Sequence, residues 1–164
     1  MSYRTPNRIE SIQRLSAIVA RLKEEGKRVV FTNGCFDLIH VGHTRYLEAA
    51  RKMGDCLIVA VNGDRSVARL KGERRPIVCL EERMEILAGF RFVDYVVSFE
   101  EPDPYATIGA LKPNVLIKGG DWAVEQIIGG DLVEAEGGSV LTIPEIKGRS
   151  TTNIIEKIVG RNRA

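Results

Sequence analysis

Five short apolar runs rich in β-branched residues alternate with stretches of helical period, and no other feature restricts the fold as much. The runs are Arg28–Thr32, Cys56–Val61, Val93–Ser98, Val115–Lys118 and Val140–Ile143. Cys56–Val61 is apolar throughout, as expected of a strand buried on both faces. Between the runs, apolar residues recur at three- and four-residue steps. Ile9, Ile12, Leu15, Val19 and Leu22 form one such series, ended by Gly26, and Tyr46, Leu47, Ala50 and Met53 form another over about 42–53. Residues 81–90, 104–111 and 150–159 read as further helices. Such alternation implies βαβ units, hence an α/β, Rossmann-like three-layer fold with a mostly parallel sheet of about five strands.

A chain of 164 residues buries enough surface to stand as one domain without disulfide or metal staples. Residues 1–27 read as an N-terminal helical extension and 28–164 as the sheet domain. Lys and Arg number 24 against 22 Asp and Glu, with no basic block set apart, which argues against nucleic-acid and membrane partners. The longest apolar runs are five or six residues, far short of a membrane span, and the start, MSYRTPNRIES, lacks a signal-peptide core. Three cysteines without a CxxC pair suggest neither a disulfide framework nor a zinc site. A cytoplasmic protein is expected.

In parallel sheets, ligands bind at the C-terminal ends of the strands, here just after Thr32, Asn62, Ser98 and Lys118. The only two histidines, His40 and His43, fall three residues apart at a helix start directly after the first strand. Gly42 between them permits close approach to the backbone. Free N–H groups and partial positive charge make a helix start a phosphate cradle, and two imidazoles there add donors. The competing readings are capping or packing, and a metal site for which Asp37 is the one obvious extra ligand. Phosphate binding is the preferred reading. Cys35 has no dedicated base, so it reads as a packing residue rather than a nucleophile. No GxxxxGK[ST] and no GxGxxG occurs, which removes two rival phosphate loops.

Four later segments add polar groups at strand or helix ends. They are Asn62-Gly63-Asp64, the basic stretch Leu70–Pro76 with Lys71, Lys118-Gly119-Gly120-Asp121-Trp122, and Gly148-Arg149-Ser150-Thr151-Thr152. Singly, each also reads as a turn, a solvated charge run or a helix cap.

The stretch TNGCFDLIHVGH, Thr32 to His43, resembles the signature of the HxGH nucleotidyltransferases, in their cytidylyltransferase-like branch. KGGDW at 118–122 and GRSTT at 148–152 resemble that branch's later motifs, and the likeness spans about 28–159. Within the branch, KGGDW, GGSV and STTNIIEKI, with the block Val61–Leu87, are similar to heptose 1-phosphate adenylyltransferases. The alternative is a cytidylyltransferase acting on glycerol 3-phosphate or a similar alcohol phosphate, which carries an MGDDW-like segment and an arginine where Glu145 stands.

The resemblance implies AMP transfer from ATP to D-glycero-D-manno-heptose 1-phosphate, giving ADP-heptose and pyrophosphate for lipopolysaccharide or related heptose glycans. It implies Mg2+ travelling with ATP, a homodimer, and a separately encoded heptose kinase, the chain resembling a stand-alone version of one half of a bifunctional enzyme. By the same resemblance His40, His43 and Lys71 are the catalytic set. The nucleotide falls to Thr32, Asn33, Gly34, Cys35, Phe36, Gly42, Asn62, Asp64, Lys118, Gly119, Asp121, Ser150, Thr151 and Thr152. Asp37, Arg83 and Trp122 are expected on the sugar-phosphate side or holding the loops around it, and no dedicated metal-ligating set is expected.

Overall fold

Alternation along the strands sorts the apolar residues onto two faces of one sheet. The computed structural model describes residues 8–120, 122–144, 146 and 148–161. Five strands, β1 (Val29–Gly34), β2 (Cys56–Asn62), β3 (Tyr95–Phe99), β4 (Val115–Gly119) and β5 (Ser139–Ile143), pair in the order β3-β2-β1-β4-β5. Every pairing is parallel. Val29 and Phe31 with Cys56, Ile58 and Ala60 point to one face, and Val30 with Leu57, Val59 and Val61 to the other. The chain runs outward from β1 through β2 to β3, then returns to place β4 on the other side of β1. That reversal makes the C-terminal end of β1 the switch point where a crevice opens.

Seven helices cover the sheet: α1 (Ile12–Glu24), α2 (Val41–Arg51), α3 (Asp64–Lys71), α4 (Leu80–Ala88), α5 (Tyr105–Leu111), α6 (Gly130–Ala135) and α7 (Thr151–Arg161). Leu15 and Val19 of α1, Ile108 and Leu111 of α5 and Val133 of α6 fill one face. Leu47 and Ala50 of α2 with Met84, Leu87 and Ala88 of α4 fill the other. The three layers expected from the alternation are therefore present. Helix α1 joins the first layer directly, with Leu15 and Val19 at 0% and 1% exposure, so the core runs across the expected 27/28 boundary. Upstream of it, Arg8 donates to the Ala88, Phe90 and Val93 carbonyls, and Ile9 bridges to Val96.

Two helices differ from the sequence expectation. Asn62–Asp64 reads as a turn and Leu70–Pro76 as a basic loop, yet Asp64–Lys71 forms α3, in which Ser66 and Val67 bury. Gly129-Gly130 disguises α6, where Gly129 takes φ 84° beside Ile108 and only Gly130 and Val133 bury. Val93, expected to begin a strand, instead closes a turn onto the Phe90 carbonyl. No helix of the described residues is long and apolar enough to cross a membrane.

Candidate active site

Where β1 ends, the chain turns sharply through Phe36, a non-glycine residue at φ 45°, and runs into α2. His40 caps that helix: its Nδ1 accepts from the Gly42 N–H at 3.1 Å, which leaves the ring proton on Nε2 in this tautomer. A Cβ at position 42 would lie 2.8 Å from the His40 imidazole, so the glycine between the histidines makes room for the capping ring. The two imidazoles stack with centroids 3.9 Å apart, and the Phe36 ring leans on His43 at 5.3 Å. His43 Nδ1 is buried and accepts or donates no hydrogen bond among the described residues. Burial, then the neighbouring His40, pushes the His43 pKa down to about 4, so this imidazole is neutral at pH 7.

These rings open onto a cavity of about 870 Å3 above the switch point. Of the sequence-predicted residues, it is lined by His40, His43, Lys71, Asn33, Gly34, Cys35, Phe36, Gly42, Asn62, Lys118, Gly119, Ser150, Thr151, Thr152, Asp37 and Trp122. Segments 85 or more residues apart thus meet in one crevice, as Lys118 Nζ does when it donates to Asn33 Oδ1 at 3.3 Å. The start of α7 sits beside the start of α2, tied by Thr151 Oγ1 donating to the Leu38 carbonyl at 3.1 Å. Two helix N-termini, each with partial positive charge, therefore face one space. Ser150 Oγ accepts from Asn153 N, so this residue also caps α7, the ordinary use of a hydroxyl at a helix start.

Charge in the wall is lopsided. Arg45, Lys71, Arg75, Lys118 and Arg149 stand against Asp37 and Asp103 among the described residues. Burial lowers the Lys118 ammonium from its ordinary value, as expected for a cation awaiting an anion. Burial also raises the Cys35 thiol, which keeps it protonated and unsuited to attack, in line with its reading as a packing residue. The wall suits a polyanion.

Three expected contacts do not reach the wall. Thr32 is fully buried, its Oγ1 held 2.6 Å from the Tyr46 hydroxyl. Asp64 opens α3 and pairs with Arg83 at 2.7 Å. Arg83 is itself 0% exposed, its guanidinium engaged by the Val78, Cys35 and Asn62 carbonyls as well as Asp64. A fully buried guanidinium with four of its five N–H donors engaged by these loops and by Asp64 is placed to tie the loops together rather than to meet a ligand in the cavity. Asp37 touches the cavity but is engaged in the same way. Its carboxylate accepts from Arg75 Nε at 2.6 Å and from the Ile77 and Val78 N–H groups at 2.9 Å. Burial alone would raise that carboxyl, but the Val78 and Ile77 N–H groups and Arg75 hold it below its ordinary value. Asp121 and Glu145 lie outside the described residues.

Sequence reasoning missed Tyr46, Arg45, Arg75 and Arg149 as wall residues. Tyr46 matched the apolar period of α2 and so read as core. In fact its hydroxyl reaches across the switch point to the Ile117 carbonyl at 3.2 Å, and its ring lies 3.3 Å from where a Cβ on Gly119 would sit. Arg75 stood in the basic stretch, but nothing in sequence joins it to Asp37, 38 positions earlier.

Comparison with known proteins agrees with this geometry. Residues 31–157 match a family model described as cytidylyltransferase-like. The chain is 51% identical over 155 residues to the bifunctional protein HldE of Trichlorobacter lovleyi, covering 94% of this chain and 32% of that one. It is 50% identical over 150 residues to HldE of Pseudomonas syringae pv. syringae, with 92% and 32% covered. The chain thus spans about a third of the length of these curated relatives. Among solved structures, the lipopolysaccharide core biosynthesis protein of Thermoplasma volcanium superposes with a TM-score of 0.60 at 29% identity, over 76% of this chain and 100% of that one. Pantoate-beta-alanine ligase of Francisella tularensis shares the fold, with a TM-score of 0.60 at 17% identity over 95% of this chain and 79% of that one. With a family model covering most of its length and its signature residues gathered around one cationic crevice, the chain belongs to the cytidylyltransferase-like family of nucleotidyltransferases.

Proposed function

We propose that this chain transfers AMP from ATP to D-glycero-D-manno-heptose 1-phosphate, releasing pyrophosphate and forming ADP-heptose for lipopolysaccharide or related heptose glycans. The observation that carries the reading is the cavity in which His40, His43, Lys118 and the start of α7 face one space, in a chain half identical to HldE proteins. The KGGDW and STTNIIEKI segments favour the sugar-phosphate acceptor over an alcohol phosphate.

The reaction asks little covalent chemistry of the protein. An oxygen of the sugar phosphate is already anionic at neutral pH. It attacks the α-phosphorus of ATP, the bond to the bridging oxygen breaks, and pyrophosphate leaves with the electron pair. No general base and no protein nucleophile are required. Catalysis is then alignment of two anions plus stabilisation of charge as it moves to the leaving group. In this reading His40 and His43, the N–H groups near Phe36 and Gly42, and Lys71 serve the phosphates. Lys118 and Ser150–Thr152 hold the nucleotide, and exposed Trp122 lies beside the acceptor.

ATP enters as its magnesium complex. Among the described residues no group of three His, Cys, Asp or Glu side chains can hold a metal. Asp37, the nearest carboxylate to the histidines in sequence, is already held by Arg75 and two N–H groups. In this reading the ion travels with the substrate. The reading includes a separately encoded heptose kinase as the source of the sugar 1-phosphate, and a cytoplasmic homodimer.

The test is pyrophosphate release with ATP or CTP crossed against heptose 1-phosphate or glycerol 3-phosphate. Release with ATP plus the heptose phosphate is expected. Release confined to CTP plus glycerol phosphate would overturn the reading.

A further inference from the structure

Arg83 has an unusual position for an arginine in a phosphate-binding protein: it is completely buried and points away from the ligand space. Its guanidinium joins three separate segments. Nε donates to the Val78 carbonyl at 3.0 Å, Nη1 to the Cys35 carbonyl, and Nη2 to the Asn62 carbonyl at 2.9 Å and to Asp64 Oδ1 at 2.7 Å. The loop ends after β1 and β2, the start of α3 and the segment leading to α4 are thereby fixed to one planar group.

The contact to Cys35 matters most. The Cys35–Phe36 peptide is trans, the one cis bond being Arg75–Pro76, so its carbonyl and its N–H point in opposite directions. Arg83 holds the Cys35 carbonyl, so the Phe36 N–H points away from Arg83, in a segment whose residues Cys35 and Phe36 both line the cavity. No backbone acceptor takes that N–H among the described residues. Phe36 is also held at φ 45°, a region that L-residues occupy only under constraint.

We infer that Arg83 is a positioning residue for nucleotidyl transfer: it aims the Phe36 N–H at a phosphate oxygen without touching substrate itself. The inference rests on the proposed function for its turnover arm only. Its binding arm requires nothing more than a nucleotide triphosphate in the cavity.

The experiment compares the full chain with Arg83→Lys, which keeps the charge but cannot span all the acceptors, and with Arg83→Ala supplied with guanidinium ion. In 15N NMR of the wild type, MgATP is expected to shift the Phe36 amide downfield. That shift is lost in Arg83→Lys while the protein remains folded. Turnover in Arg83→Lys falls about a hundredfold, as for loss of one aligned donor to developing charge, with the KM for ATP changed less than about threefold. Millimolar guanidinium restores part of the Arg83→Ala rate. The inference is overturned if the Phe36 amide shifts equally in both proteins, or if kcat of the lysine variant falls only with its folded fraction. Should Arg83→Ala not fold, the lysine variant alone decides. A wild type that binds MgATP with the expected amide shift but releases no pyrophosphate would count against the proposed reaction and leave the role of Arg83 supported.

Discussion

Two groups of polar residues stand in or behind the wall of the same crevice and differ in one respect, how completely their hydrogen bonds are met. On one side, Asp37 and Arg83 are buried, and three or four hydrogen bonds tie each of them to protein. On the other, His43 carries a buried ring nitrogen with no partner among the described residues, and Lys71 is exposed at the cavity wall. A buried polar atom without a partner is destabilising in the free protein and is retained only where something else supplies the bond. Residues tied to protein build the site; incompletely bonded ones are left for the ligand. The residue type says little about which group a side chain joins, since a basic side chain stands in each, Arg83 in one and Lys71 in the other.

Substitutions at the two groups should separate stability from turnover. The largest effect is expected from Asp37→Ala, which strands Arg75 and the Ile77 and Val78 N–H groups and lowers the unfolding free energy by about 3 kcal/mol. Urea denaturation measures it, and an unchanged midpoint would place Asp37 in the ligand group after all. Next comes His43→Ala, with kcat reduced at least about a hundredfold and the melting transition retained. Steady-state kinetics beside a thermal melt checks both halves of that statement. Lys71→Ala should slow turnover about tenfold while ATP still binds, because an exposed cation on a mobile side chain contributes less than an aligned buried donor. Loss of ATP binding in an equilibrium titration would make Lys71 a ground-state anchor instead.

The two groups differ in pH dependence as well. His43 titrates near 4 in the fold, below its ordinary 6.5, so its contribution to stability is complete above pH 6.5 and is lost as pH falls through 4. The Asp37 carboxyl is lowered from 3.8, so its contribution persists until pH falls below that value. Between pH 6.5 and 4 the wild type should therefore lose about 3 kcal/mol relative to His43→Ala. Parallel urea midpoints over that range would show no such role for the ring.

Much of this architecture was legible in the sequence because it rests on period. The strands at Cys56–Asn62 and Val115–Gly119 announce themselves as apolar runs, and α2 and α4 by their spacing. Short elements such as α6, with two buried residues behind paired glycines, offer no period to read. The histidines were legible for a different reason, since they are the chain's only two and stand at a strand-to-helix turn. What could not be read was which polar side chains finish bonded to the protein. Thr32 and Asp64 stand near the C-terminal ends of β1 and β2 just as Asn33 and Asn62 do, yet they face Tyr46 and Arg83. That outcome is set by tertiary partners 14 and 19 positions away, and no local pattern encodes it.

The most direct measurement on the central claim, that His43 is held neutral and unpartnered until phosphate arrives, is the NMR titration of its ring with and without MgATP. The free protein should titrate near pH 4, and the bound form should titrate well above that value, because an anion beside the ring stabilises its protonated state. A His43 that titrates near 6.5 in the free protein, or that does not move when MgATP is bound, would contradict the account.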